Sequence, residues 1–270
     1  MEEIKTVEDF KLRAYQVFEN DVTPVKGMDA LNYLYSLDWK IPSGIPFPET
    51  EVTLLNLSFD TRGCFGRAVK AAVLVENLFP HEEIYCGEVC EDLLRKILMD
   101  GVSEEEWADE TYIEEILQYE APHMIIVFGQ NLKHFDPIFN QLSPTPKDFY
   151  HPSVILHDLW EGLYSSYLIS LALYKDSTES PESALQVFEK AKSICPDNIL
   201  VKENMLGIYL KLDNIDMFIR MAEELMGVRK DAKTLMVLYM VTQDDSFKKR
   251  IIDEYNIQMF EYLIKKMQSV

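Results

Sequence analysis

Residues 57–79 read LSFDTRGCFGRAVKAAVLVENLF. Asp60 and Thr61 are N-cap residue types, so a helix is expected to start just after them, with Cys64 close to its first turn. Beyond Cys64, the apolar positions Phe65, Ala68, Val69, Ala72, Val73 and Leu78 leave almost no polar stripe. A helix that is apolar on most sides is buried on most sides. A thiol at the start of such a helix sits at the positive end of the helix dipole, which favours the thiolate. The same residue also fits as a small buried hydrophobe.

Upstream, residues 7–22 have helical apolar spacing at Phe10, Ala14, Val17 and Phe18. Asp29 is placed to cap a second short helix through Ala30, Leu31, Leu34 and Tyr35. Residues 41–48, IPSGIPFP, hold three prolines and a glycine and read as an ordered loop. Downstream, residues 84–89 read as a strand and residues 91–119 as a solvated, strongly acidic helical excursion. Met124-Ile-Ile-Val-Phe128 is a continuous β-rich apolar run, hence a buried strand. If Gly129-Gln130 is a two-residue type II′ loop, residues 131–135 return as the next strand.

That hairpin has a chemical consequence. With Phe128 facing Asn131, counting outward sets His123 opposite Asp136, and directly opposed side chains touch. A carboxylate beside an imidazole fixes its tautomer and stabilises its protonated form. A cysteine nucleophile needs such an oriented base. A three-residue loop would instead oppose Asp136 to Met124, on the other face. His134, two residues from Asp136, is a rival base. Cys86 and Cys90 with His81 match no common zinc spacing, and no phosphate-loop or dinucleotide glycine pattern occurs.

After Pro144 and Pro146 the remaining chain reads as helix. Within 164–199, Ala184, Phe188, Ala191 and Pro196 follow the tetratricopeptide pattern, with Leu168, Leu171 and Ala172 in the preceding helix. Lys175 stands where a tyrosine is usual. A second copy begins near Leu200 with Leu206-Gly207 and Leu210, then degenerates at Ile219. Met205, Met217, Met221, Met226, Met236 and Met240 read as core filler between helices or as lining of a groove. Such repeats stack on one another or on the front domain, or bind a peptide.

The charge is −20, from 46 acidic and 26 basic residues, which repels phosphate backbones and anionic membranes. Nucleic acid is therefore not expected as a partner. No apolar run reaches the roughly 18 residues of a membrane span. Glu2 and Glu3 follow Met1, against a secretory signal. Four scattered cysteines read as reduced thiols, so a cytoplasmic location is expected.

In order, Thr61-Arg62-Gly63-Cys64, His123 with MIIVF behind it, and Phe135-Asp136-Pro137-Ile138-Phe139-Asn140 resemble the transglutaminase-like superfamily. More narrowly, with the repeats behind them, they are similar to the bacterial group that joins this domain to tetratricopeptide repeats. The resemblance spans roughly residues 30 to 240. It implies an α+β fold of the papain-like cysteine type over 1–150 and an all-α repeat domain over 151–270. It further implies Cys64 as nucleophile, His123 as base and Asp136 as orienting acid, with no cofactor and no metal. Two functions follow: acyl transfer or amide hydrolysis on a protein or peptide through this triad, or an inactive scaffold that binds a protein or peptide through its repeats.

Overall fold

The computed structural model describes residues 4–22, 26–37, 39, 64–89, 123–128, 133–135, 154–228 and 232–255. Over these the chain is mostly helical with one small antiparallel sheet, an α+β protein. The described residues up to Val89 and from His123 to Val201 form one compact unit, and those from Lys202 onward form a second. Among the described residues, no helix is long and apolar enough to cross a membrane.

In the first unit, α1 (Val7–Phe18) starts on a capping box: Thr6 Oγ1 accepts from Asp9 N at 3.1 Å and Asp9 Oδ2 accepts from Thr6 N at 3.0 Å. Helix α2 (Ala30–Ser36) begins at its expected cap, where Asp29 Oδ1 accepts from Asn32 N at 2.9 Å. Helix α3 (Cys64–Leu78) is buried along Ala68, Val69, Ala71, Ala72, Val73, Leu74 and Val75, as its all-round apolar sequence requires. It packs against α1, α2 and the sheet. The proline-rich 41–48 segment, the Asp60-Thr61 cap and the acidic 91–119 stretch lie outside the described residues.

The sheet has the order β3-β2-β1-β4, with β1 (Ile84–Val89), β2 (His123–Phe128), β3 (Lys133–Phe135) and β4 (Val154–Asp158). Every pairing is antiparallel: Cys86 faces Ile126 on one side and His157 on the other, and Ile126 faces Phe135. Two expectations are corrected here. The chain beyond Pro146 is not all helix, because residues 154–158 are an edge strand. Val154 and Ile155 are β-branched, and Asp158 ends the strand by capping the next helix, with Oδ1 accepting from Trp160 N at 3.2 Å. The β2–β3 register is Phe128↔Lys133, not Phe128↔Asn131. The connection holds four residues, 129–132, so the partner strand is displaced by two.

Helices α4 (Leu159–Thr178) and α5 (Pro181–Ile194) form a tightly packed hairpin. Ser180 caps α5, accepting from Ser183 N at 3.2 Å, with Pro181 at the first helical position. Ala172, Ala184, Phe188 and Ala191 are fully buried, so the small residues do mark a close helix approach. Helix α6 (Ile199–Lys211) starts in this unit.

The second unit holds the rest of α6, then α7 (Ile215–Val228), α8 (Ala232–Thr242) and α9 (Asp245–Tyr255). Met205, Met221 and Met236 are buried, while Met217, Met226 and Met240 are half-buried. The methionines thus divide between core and surface.

Candidate functional site

Cys64 is the first residue of α3 and His123 the first of β2; both are described by their backbone alone, and Asp136 lies outside the described residues. The direction of α3 follows from its other end. Glu76, in its last turn, accepts from Lys11 Nζ at 3.1 Å, Tyr15 Oη at 2.5 Å and Trp160 Nε1 at 2.9 Å. Trp160 lies two residues past the strand end where Asp158 pairs with Tyr85, near the start of β1. Helix α3 therefore finishes where β1 begins. Its 15 residues span about 22 Å and the six of β1 about 20 Å, so α3 starts toward the end of the sheet where Val89 pairs with His123.

The pleat sorts the strand residues into two rows. Cys86, Ile126, Phe135 and His157 share one register row. The helices cover this row: the Phe135 ring lies 5.5 Å from Tyr35 and 5.3 Å from Trp39, and Gly162 of α4 rests on Cys86. Helix α3 packs in this same layer, beside α2 and α4. Ile125, Val127 and Tyr85 occupy the other row and form their own small apolar cluster. By register His123 belongs to the row of Ile125 and Val127, and so does His134, which pairs with Val127. A displacement of two leaves the row of every residue unchanged, while the pairing of Phe128 with Asn131, from which the hairpin count to Asp136 started, is replaced by Phe128 with Lys133.

Sequence reading passed over a different constellation. Glu88 is fully buried, yet its carboxylate accepts three hydrogen bonds: Oε2 from Ile199 N at 3.1 Å and from His157 Nε2 at 3.2 Å, Oε1 from Leu200 N at 2.8 Å. The strand thereby satisfies two orphan N–H groups at the start of α6. Asn198 completes the cap: its Oδ1 accepts from Val201 N at 2.9 Å, and its Nδ2 donates to Ser165 Oγ of α4 at 3.3 Å. The one hint was an acid inside an otherwise apolar strand, IYCGEV.

Cys86, His157 and Glu88 share one row, so a thiol, an imidazole and a carboxylate stand together. The thiol is nevertheless inert. A Cβ on Gly162 would come 2.9 Å from Cys86 Sγ, so the helix backbone seals it. Burial, then the neighbouring Cys195, Glu88 and Asp158, push its pKa well above the ordinary thiol value. Cys195 is pushed up to about 12, by burial first and then by Glu161. Both are free and buried. Among the described residues, no group of three or more His, Cys, Asp or Glu is arranged to hold a metal ion. No protein-family model, no curated protein and no solved structure matches this chain.

Proposed function

We propose that the chain is a transglutaminase-like α+β core that carries tetratricopeptide-like helices and serves as a binding scaffold for a protein or peptide, without acyl transfer. The order of a Cys-led helix, an antiparallel meander and a His-led strand supports the likeness to the superfamily. The close α4–α5 hairpin with its buried alanines supports the repeat character. One observation carries the inactive reading: the register row of His123 is the one opposite to the row beneath the layer of α3, the helix that Cys64 begins. An active site of this type would instead have Cys64 attack an amide carbonyl while His123 hands its proton to the leaving amine, leaving an acyl-thioester for water or an amine to resolve.

Alkylation of Cys64 tests the choice, in a Cys90→Ser chain whose two buried thiols stay silent. A scaffold gives either no reaction or an ordinary thiol profile with a midpoint near ~8.5. Rapid alkylation near neutral pH that slows on His123→Ala would overturn the scaffold reading in favour of the acyl-transfer enzyme.

A further inference from the structure

The short segment ahead of α1 is held on the α4–α5 hairpin in a way that packing alone does not require. Ile4 and Lys5 form no regular secondary structure, and Ile4 is buried. Their consecutive backbone carbonyls are each met by a side-chain donor. Tyr164 Oη donates to the Ile4 carbonyl at 3.3 Å, and Lys190 Nζ donates to the Lys5 carbonyl at 2.7 Å. The two donors are coupled, because Lys190 Nζ also donates to Tyr164 Oη at 2.8 Å and lies 5.2 Å from the centre of its ring. A lysine has three protons and no acceptor, so one ammonium can orient the phenol and bind a carbonyl at once. The platform is stiff: the Tyr164 ring stacks on Tyr167 at 6.0 Å and tilts against Phe10 at 5.7 Å.

These are the parts of a peptide-recognition site. Donors aimed at main-chain carbonyls hold any extended backbone, and a buried side-chain position selects among them. We infer that the Tyr164–Lys190 face is a docking site for an extended segment with an aliphatic residue, and that Ile4 and Lys5 fill it in cis as a strap. A partner's segment of the same chemistry, an aliphatic residue followed by one whose carbonyl reaches Lys190, binds by displacing that strap. The inference rests on the scaffold reading and names its site. The two remain separable, because a nucleophilic Cys64 would retire the scaffold and leave the dock standing.

The probe is a fluorescein-labelled peptide of residues 1–6, MEEIKT. Its binding is measured by anisotropy to the full chain, to the Ile4→Ser chain, and to the Ile4→Ser, Lys190→Met chain. Emptying the strap position should tighten binding by about tenfold or more over the unaltered chain, and Lys190→Met should remove that gain. Equal affinity for the first two chains, or a gain that survives Lys190→Met, overturns the inference. Should Ile4→Ser lose the fold by circular dichroism, the unaltered chain is titrated with excess unlabelled probe and followed by the methyl resonances of Ile4. Displacement moves the buried Ile4 side chain into water and shifts those resonances, and a probe with serine for Ile4 leaves them unchanged. No shift with the intact probe overturns the inference equally.

Discussion

Replacing Glu88 by glutamine keeps the shape of the side chain and changes one oxygen into a donor. In the native arrangement both oxygens face only donors: Ile199 N and His157 Nε2 on one, Leu200 N on the other. Whichever way the amide turns, an NH2 meets an N–H. A hydrogen bond to a charged group contributes about 1.5–3 kcal/mol, and a stranded buried donor costs about 1–3 kcal/mol. Glu88→Gln should therefore destabilise the first unit by about 2–4 kcal/mol, and Glu88→Ala, which strands all three donors, by about 3–5 kcal/mol. His157→Gln is the control. It keeps a donor toward Glu88 and leaves the helix cap intact, so it should cost about 1 kcal/mol or less. The assay is urea unfolding, in which the Glu88→Gln midpoint drops by roughly 1–2 M at the usual slopes. Amide exchange at Ile199 and Leu200 gives a local readout. A loss under about 0.5 kcal/mol with those two amides still protected would refute the role given to Glu88.

Gly162→Ala puts a methyl 2.6 Å from Cys86 Cβ, so overpacking of about 1–3 kcal/mol should outweigh the helix-propensity gain of up to about 1 kcal/mol. Thermal melting should show the loss, and Cys86→Ala should not rescue it, because the obstructing atom is the Cβ that alanine retains. The raised thiols give a pH signature. They stay neutral in the fold while the unfolded chain ionises, so their stabilisation is intact below the ordinary thiol range and is lost as pH rises. For Cys195 the window runs from 9.0 to about 12, with a slope approaching about 1.4 kcal/mol per pH unit. Cys195→Ala should flatten that part of a stability-against-pH curve, and an unchanged slope would show that another group sets it. Ala184→Leu should overpack the α4–α5 contact by about 1–3 kcal/mol, and an unaltered melting temperature would mean that this contact is loose.

What the sequence made readable was local. Asp29 is a cap residue whose partner lies three positions on, so α2 starts where its chemistry places it. The alanines of the expected repeat pattern mark a helix contact between neighbours in the chain, and Ala184 and Ala191 are buried. The strands at 84–89 and 123–128 were visible because apolar β-rich runs need a sheet. Harder to read was whatever depends on register. Gly129-Gln130 is a good two-residue turn sequence, yet Phe128 pairs with Lys133 and not with Asn131, two residues from where the count began. Strand β4 was lost for another reason. Val154 to Asp158 runs without a break into the apolar start of α4, and only Asp158, serving as a cap, marks the change of period. Of the candidate site, the positions of Cys64 and His123 at element starts were legible. The Glu88 network was not, because its partners lie 69 and 111 residues away and leave no pattern around Glu88 itself.

That separation matters while the chain is being made. Strand β1 is central, but its two neighbours begin at His123 and Val154, and the helix start that Glu88 caps lies 111 residues beyond it. At a synthesis rate of about 5–20 residues per second, Glu88 leaves the ribosome roughly 6–20 seconds before Ile199 does. Until β2 and then β4 follow, the edges of the strand are unpaired, and until Ile199 follows, the Glu88 carboxylate lacks its helix-start donors. The first unit therefore cannot close vectorially from its amino-terminal end. A nascent chain halted before residue 199 should hold α3 and the strands without their final lock, and that species is the one most exposed to chaperones and to misassembly.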